Sequence, residues 1–70
     1  MTVVIYTKPG CPYCRTALNE LIAGSVQYEE IDVTTTPGAE ERLAELTLGS
    51  MMVPVIVEED GSVQVAAGGG

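Results

Sequence analysis

A single heptapeptide restricts this chain more than any other stretch. Lys8-Pro9-Gly10-Cys11-Pro12-Tyr13-Cys14 holds both cysteines, two of the four prolines and one of the three basic residues, and Arg15 follows at once. Ahead of it, Val3-Val4-Ile5-Tyr6 is an unbroken apolar run. Such a run reads as a strand covered on both faces, as in α/β sheets. Behind it, Cys14, Ala17, Leu18, Leu21 and Ile22 recur at the spacing of a helix with one apolar stripe. The cysteines therefore lie where a strand passes into the first turn of a helix. Pro12 fits the first helical position, where the amide hydrogen it lacks would have no partner. That makes Cys11 the N-cap and sets Cys14 one turn further in.

Placement dictates chemistry. The first turn of a helix carries unpaired N–H groups and the positive end of its dipole. A thiolate at Cys11 would accept from them, with Lys8 nearby, so its pKa is expected to be depressed and its sulfur nucleophilic. Cys14, on the apolar stripe, is expected to be more buried and to remain a thiol until needed. Helical residues three apart have Cβ atoms about 5–6 Å apart, whereas a disulfide wants about 3.5–4.5 Å. A bond here is thus suited to opening and closing. The competing readings are a fixed disulfide and half of a zinc site. So small a loop gains little from a staple, and zinc normally takes four ligands. The chain has no His and no second cysteine pair. Redox chemistry is the favoured reading of a C-x-x-C beside an α/β pattern.

Tyr6-Thr7-Lys8 followed by Cys11-Pro12-Tyr13-Cys14 resembles the active-site segment of glutaredoxins, within the thioredoxin-fold superfamily. Val53-Pro54 ahead of Val55-Ile56-Val57 is similar to that family's second signature. The resemblance implies a thioredoxin-like α/β fold, with spatial strand order second, first, third, fourth. It implies a cis Val53–Pro54 bond against the cysteine pair, leaving the Val53 backbone to pair with an extended substrate. It further implies a thiol–disulfide oxidoreductase that reduces protein disulfides or glutathione mixed disulfides. Cys11 would attack, Cys14 would resolve, glutathione would be the co-substrate, and no metal would be needed. Substrate or glutathione contacts are carried over to Lys8, Tyr13, Val53, Pro54, Gly68 and Gly69.

Two departures from the family pattern stand out. Met52 occupies the place of a small hydroxyl residue before Val53-Pro54, and the chain stops at Gly68-Gly69-Gly70. The family continues there into an acidic residue and a closing helix. The expectation is a domain lacking that helix, with one anion site for glutathione lost. Part of a sheet face would then be exposed or covered by another chain. Alternatives are a redoxin served by thioredoxin reductase or another small thiol, and a non-catalytic interaction domain. A further alternative is an iron–sulfur module shared by two chains through Cys11 and glutathione, which Pro12 and Tyr13 disfavour.

Seventy residues form one domain, 1–70, which buries only about 60% of its unfolded surface. With no Trp and no Phe, its core is aliphatic. The first residues lack the pattern of a signal peptide, and no apolar run reaches the roughly 18–20 residues of a membrane span. A C-x-x-C without a secretion signal points to a reducing, cytoplasmic setting. The net charge of −7 argues against nucleic acid as a partner. Lys8 and Arg15 flank the cysteines, while all ten acidic residues fall outside residues 7–19. One reading is a solvated acidic surface; the other is a local positive site for a carboxylate-bearing thiol such as glutathione. Disulfide-containing proteins and low-molecular-weight thiols are the expected partners of a monomer, with association through an uncovered sheet face the alternative.

The element order reads β-α-β-α-β-β, a four-stranded mixed sheet with a right-handed crossover. Strands are expected over 2–7, 26–32, 54–58 and 62–66. The second would sit at an edge, packing Val26, Tyr28 and Ile31. The first helix would span 12–23 and stop at a left-handed Gly24. The second would start with Thr36 as N-cap and Pro37 in first position, and run to about Leu48 with Ala39, Leu43 and Leu46 inward. Gly38 and the like charges Glu41 and Glu45 would weaken it, and Gly49 would end it. Glu59-Asp60-Gly61 is a hairpin turn.

Overall fold

The apolar run becomes β1 (Thr2–Thr7), the strand from which the other elements are placed. A computed structural model describes residues 2–49 and 52–65 of the chain. Strand β2 (Gln27–Asp32) pairs with β1 in parallel, and β3 (Val55–Val57) pairs antiparallel on its other side. Strand β4 (Val63–Val65) pairs antiparallel with β3, giving the sheet order β2-β1-β3-β4. This is the order the resemblance implied. Central position explains the composition of β1: Val3, Ile5, Tyr6 and Thr7 are all buried. Strand β2 lies at the edge and is mostly exposed. Of its expected packing residues only Ile31 joins the core; Val26 and Tyr28 are exposed, since an edge strand has a neighbour on one side alone.

Helix α1 (Pro12–Ala23) occupies the predicted span. Its stop differs from expectation, because Gly24 has φ −85° and the left-handed residue is Ser25, φ 55°. Ser25 N–H donates to the Ile22 carbonyl at 3.0 Å and Val26 N–H to that of Leu21 at 2.9 Å. That pair of bonds closes a helix around the residue after its C-cap. Gly24 is the C-cap, so the left-handed position falls one residue later.

Helix α2 (Ala39–Thr47) begins later than the Thr36-Pro37 signal implied. Asp32 is the reason. Its Oδ1 accepts from the Thr34 N–H at 2.8 Å and the Thr34 hydroxyl at 2.6 Å. Its carbonyl accepts from the N–H groups of Thr35 and Thr36. The backbone that would have started a helix is thereby committed to a turn. Gly38, at φ 80°, cannot be helical and becomes the N-cap, its carbonyl taking Arg42 N–H at 3.1 Å. Leu48 and Gly49, both at positive φ, end the helix. The glycine expected to weaken the helix instead precedes it.

The core under α2 holds Tyr6, Val33, Ala39, Leu43, Val53 and Val55 together with both cysteines, flanked by Val4, Ile31, Leu46 and Val57. Thr47 is also buried there, its hydroxyl donating to the Leu43 carbonyl at 2.8 Å. The hairpin at Glu58–Ser62 joins β3 to β4 as expected, with Glu58 N–H donating to the Ser62 carbonyl at 2.8 Å. Strands β3 and β4 are shorter than the ranges read from sequence, and residue 66 lies outside the described residues. No helix among the described residues is long and apolar enough to cross a membrane.

Candidate active site

Strand β1 delivers the chain to the site, and the turn at Pro9-Gly10 aims it into α1. Cys11 is the N-cap with extended backbone, and Pro12 follows in first position. The Cys11 carbonyl takes the Arg15 N–H at 3.4 Å, which opens the helical ladder. The expected bond from the first-turn N–H groups to the Cys11 sulfur is not formed. The thiol instead points across to the chain before β3 and donates to the Val53 carbonyl at 3.9 Å. A protonated sulfur carries the hydrogen and therefore seeks an acceptor, which helix-start N–H groups are not. Val53 is fully buried and its bond to Pro54 is cis. The two signatures of the sequence thus meet at one point, although they lie 42 residues apart.

Cys14 sits one turn along α1, buried with 4% of its surface exposed. Burial pushes its thiol from an ordinary 9.0 up to about 11; its hydrogen bond with Cys11 and the charge of Cys11 raise it too, while the Lys8 backbone and ammonium oppose. Cys14 therefore holds its proton through the neutral range, as its place on the apolar stripe implied. The two sulfurs are not bonded to each other.

A cleft of about 550 Å³ opens beside the pair, lined by Thr7, Lys8, Gly10, Cys11, Pro12, Cys14, Arg15, Leu18 and Glu30. Although Cys11 is only 7% exposed, its place in this lining gives a route to the sulfur. The glutaredoxin family profile matches residues 3–63, which include the cysteine pair and the Val53–Pro54 dipeptide. The chain belongs to the glutaredoxin family.

Relatives agree with that assignment. The gene 56 protein of Mycobacterium phage L5 is 33% identical over 57 residues, covering 81% of this chain and 54% of that one. Glutaredoxin 1 of Rickettsia felis is 39% identical over 56 residues, covering 79% of this chain and 55% of its own. The chain thus spans about half the length of these two curated relatives. The crystal structure of the thioredoxin-like protein BC3987 matches with a TM-score of 0.80 at 34% identity, covering 91% of this chain and 85% of that one.

In this glutaredoxin the residues singled out from sequence separate in space. Cys11, Cys14 and Lys8 share the cleft. Val53 and Pro54 lie behind Cys11, where the Val53 carbonyl already has a donor. Tyr13 is half exposed and does not line the cleft. Gly68 and Gly69 lie outside the described residues. Among the described residues no group of three or more His, Cys, Asp or Glu is arranged to hold a metal.

Sequence reasoning missed Thr7 and Glu30. The Thr7 hydroxyl, buried at the end of β1, donates to Glu30 Oε2 at 2.9 Å. Glu30 reads in sequence as one of several acidic residues on a solvated edge strand. Only the β1–β2 register, which sets Glu30 level with Ile5 and on the same face as Thr7, puts it on the cleft side.

Proposed function

We propose that this glutaredoxin is a thiol–disulfide oxidoreductase acting on protein disulfides and glutathione mixed disulfides. The observation that carries the reading is the unequal setting of its two sulfurs. Cys11 lies at the head of a helix in an open cleft beside Lys8 and Arg15, whereas Cys14 is held as a thiol one turn behind. A Cys11 thiolate, turned toward the first-turn N–H groups, attacks one sulfur of the substrate disulfide. A Cys11 mixed disulfide forms and the other substrate sulfur leaves as a thiolate. Cys14 then gives up its proton and attacks Cys11, so the second substrate thiol leaves and the Cys11–Cys14 disulfide remains. Two glutathione molecules supply the two electrons and two protons that return the pair to the dithiol, and they leave joined as glutathione disulfide. Lys8 draws the carboxylate of the incoming thiol. No resident metal takes part, and the chain acts as a monomer in a reducing compartment.

A second reductant is supported by the structural likeness to a thioredoxin-like protein. Under that reading thioredoxin reductase delivers the electrons in place of glutathione. NADPH consumption with hydroxyethyl disulfide as substrate separates the two. We expect turnover when glutathione and glutathione reductase are supplied, and little with thioredoxin reductase alone. The reverse ranking would overturn glutathione dependence; no turnover with either would overturn the oxidoreductase reading.

A further inference from the structure

The sheet order leaves β2 with β1 on one side and, among the described residues, no strand on the other. The groups on that outer side can be assigned. Val33 N–H donates to the Thr7 carbonyl at 2.9 Å, and the β1–β2 register is unbroken from Thr2–Gln27 to Thr7–Asp32. Alternate residues of a parallel strand bond to the same neighbour. Glu29 and Ile31 therefore bond to β1, and the N–H and C=O groups of Tyr28 and Glu30 point outward.

Natural proteins blunt such edges with Pro, Lys, a bulge or a covering element. Strand β2 has no Pro and no Lys, its pairing has no bulge, and its first four residues are exposed. It carries instead acidic charge beside an apolar patch. Glu29 is exposed on the face of Ile31. Tyr28 is on the other face, against which α1 lies. Val26 enters the strand two residues before it, its N–H bonded to the Leu21 carbonyl at the end of α1. Tyr28, Val26 and the neighbouring Ile22 are 36%, 38% and 59% exposed.

These features choose between occupants. A second copy pairing β2 against β2 would set Glu29 and Glu30 of one chain near their counterparts, and like charges opposite one another destabilise a strand pair. The net charge of −7 adds to that repulsion. A basic segment meets attraction instead. We propose that the outer edge of β2 docks an extended segment of a partner protein in which apolar and basic residues alternate. The segment adds as a strand to Tyr28 and Glu30, taking affinity from backbone bonds and selectivity from alternate side chains. Its apolar residues cover Tyr28, Val26 and Ile22, and the basic residues between them reach Glu29. The inference goes beyond the redox reading and does not depend on it, since neither sulfur takes part.

The probe is a synthetic strand, acetyl-(Val-Lys)3-amide, added to the isotope-labelled chain, with hydrogen exchange of single backbone amides as the readout. We expect exchange at Tyr28 and Glu30 to slow, while Glu29 and Ile31, already in the ladder, stay unchanged. The same peptide N-methylated at every residue keeps its charge but has no N–H to donate, and should protect neither amide. A Val-Glu analogue should protect neither as well. Tyr28→Pro removes an outward N–H without touching the ladder to β1, and should abolish protection at Glu30. Should that variant fail to fold, the three peptides on the parent chain decide. No protection by the Val-Lys peptide would overturn the proposal. Protection that survives N-methylation would reduce it to charge attraction, and equal protection by the Val-Glu peptide would remove the basic partner. A dimer in sedimentation of the chain alone, with Tyr28 and Glu30 protected as concentration rises, would give the edge to a second copy and overturn it too.

Discussion

Replacing Cys11 with serine will reduce disulfide turnover to the background rate, while Cys14→Ser will retain reduction of glutathione mixed disulfides. The asymmetry follows from the placement of the two sulfurs. Serine at position 11 keeps the N-cap backbone and the start of α1 but supplies no thiolate, and in the proposed scheme both routes begin with attack by that sulfur. Serine at position 14 removes only the resolving thiol, and a second glutathione can discharge a Cys11–glutathione bond from the cleft side. Reduction of protein disulfides by the dithiol route will be lost in Cys14→Ser. Both activities are read from the same coupled NADPH assay with the two substrate types. An inactive Cys14→Ser beside an active Cys11→Ser would exchange the roles; full dithiol activity in either would remove the pair from the chemistry.

The second large effect concerns the small core that holds this geometry. Leu43→Ala will destabilise the domain by about 2–5 kcal/mol, the range for emptying a fully buried aliphatic site. Leu43 is 1% exposed and belongs to the cluster that includes both cysteines and Val53. A domain's whole stability is only about 0.05–0.15 kcal/mol per residue, so in a chain of 70 residues such a loss consumes a large share. Leu48→Ala is the control. Leu48, five residues on, is 95% exposed, and its loss should lie within about 0.5 kcal/mol of zero. Urea unfolding of the reduced proteins measures both. Similar midpoints for Leu43→Ala and Leu48→Ala would mean that α2 does not pack as described.

Much of this was legible in the residues, and the rest was hidden for definite reasons. The limits of α1 follow from Pro12 and the apolar stripe, both local signals. The sheet order came from the resemblance, and the apolar content of β1 agrees with a central strand. The start of α2 was misplaced because Thr36-Pro37 is a valid helix signal on its own. Only the structure shows that Asp32 has already engaged Thr34, Thr35 and Thr36. The left-handed Ser25 escaped because a neighbouring glycine is the more natural choice for that conformation. Cys11 and Cys14 needed no structure to find. The acceptor chosen by Cys11 did, since Val53 is remote in sequence and its carbonyl carries no side-chain signal. Glu30 was invisible for a related reason: a single strand does not reveal which face its neighbour's helix will cover.

The proposed mechanism depends most on Cys14 holding its proton through the neutral range. The direct test is the initial rate of iodoacetamide labelling of the reduced protein from neutral to strongly alkaline pH, with the modified residue identified by peptide mass. A thiol whose folded pKa is raised stays protonated, and so unreactive, until pH approaches that value. The account predicts labelling of Cys11 alone at neutral pH, with Cys14 joining only as pH nears about 11. Labelling of Cys14 at neutral pH, as fast as or faster than Cys11, would contradict it.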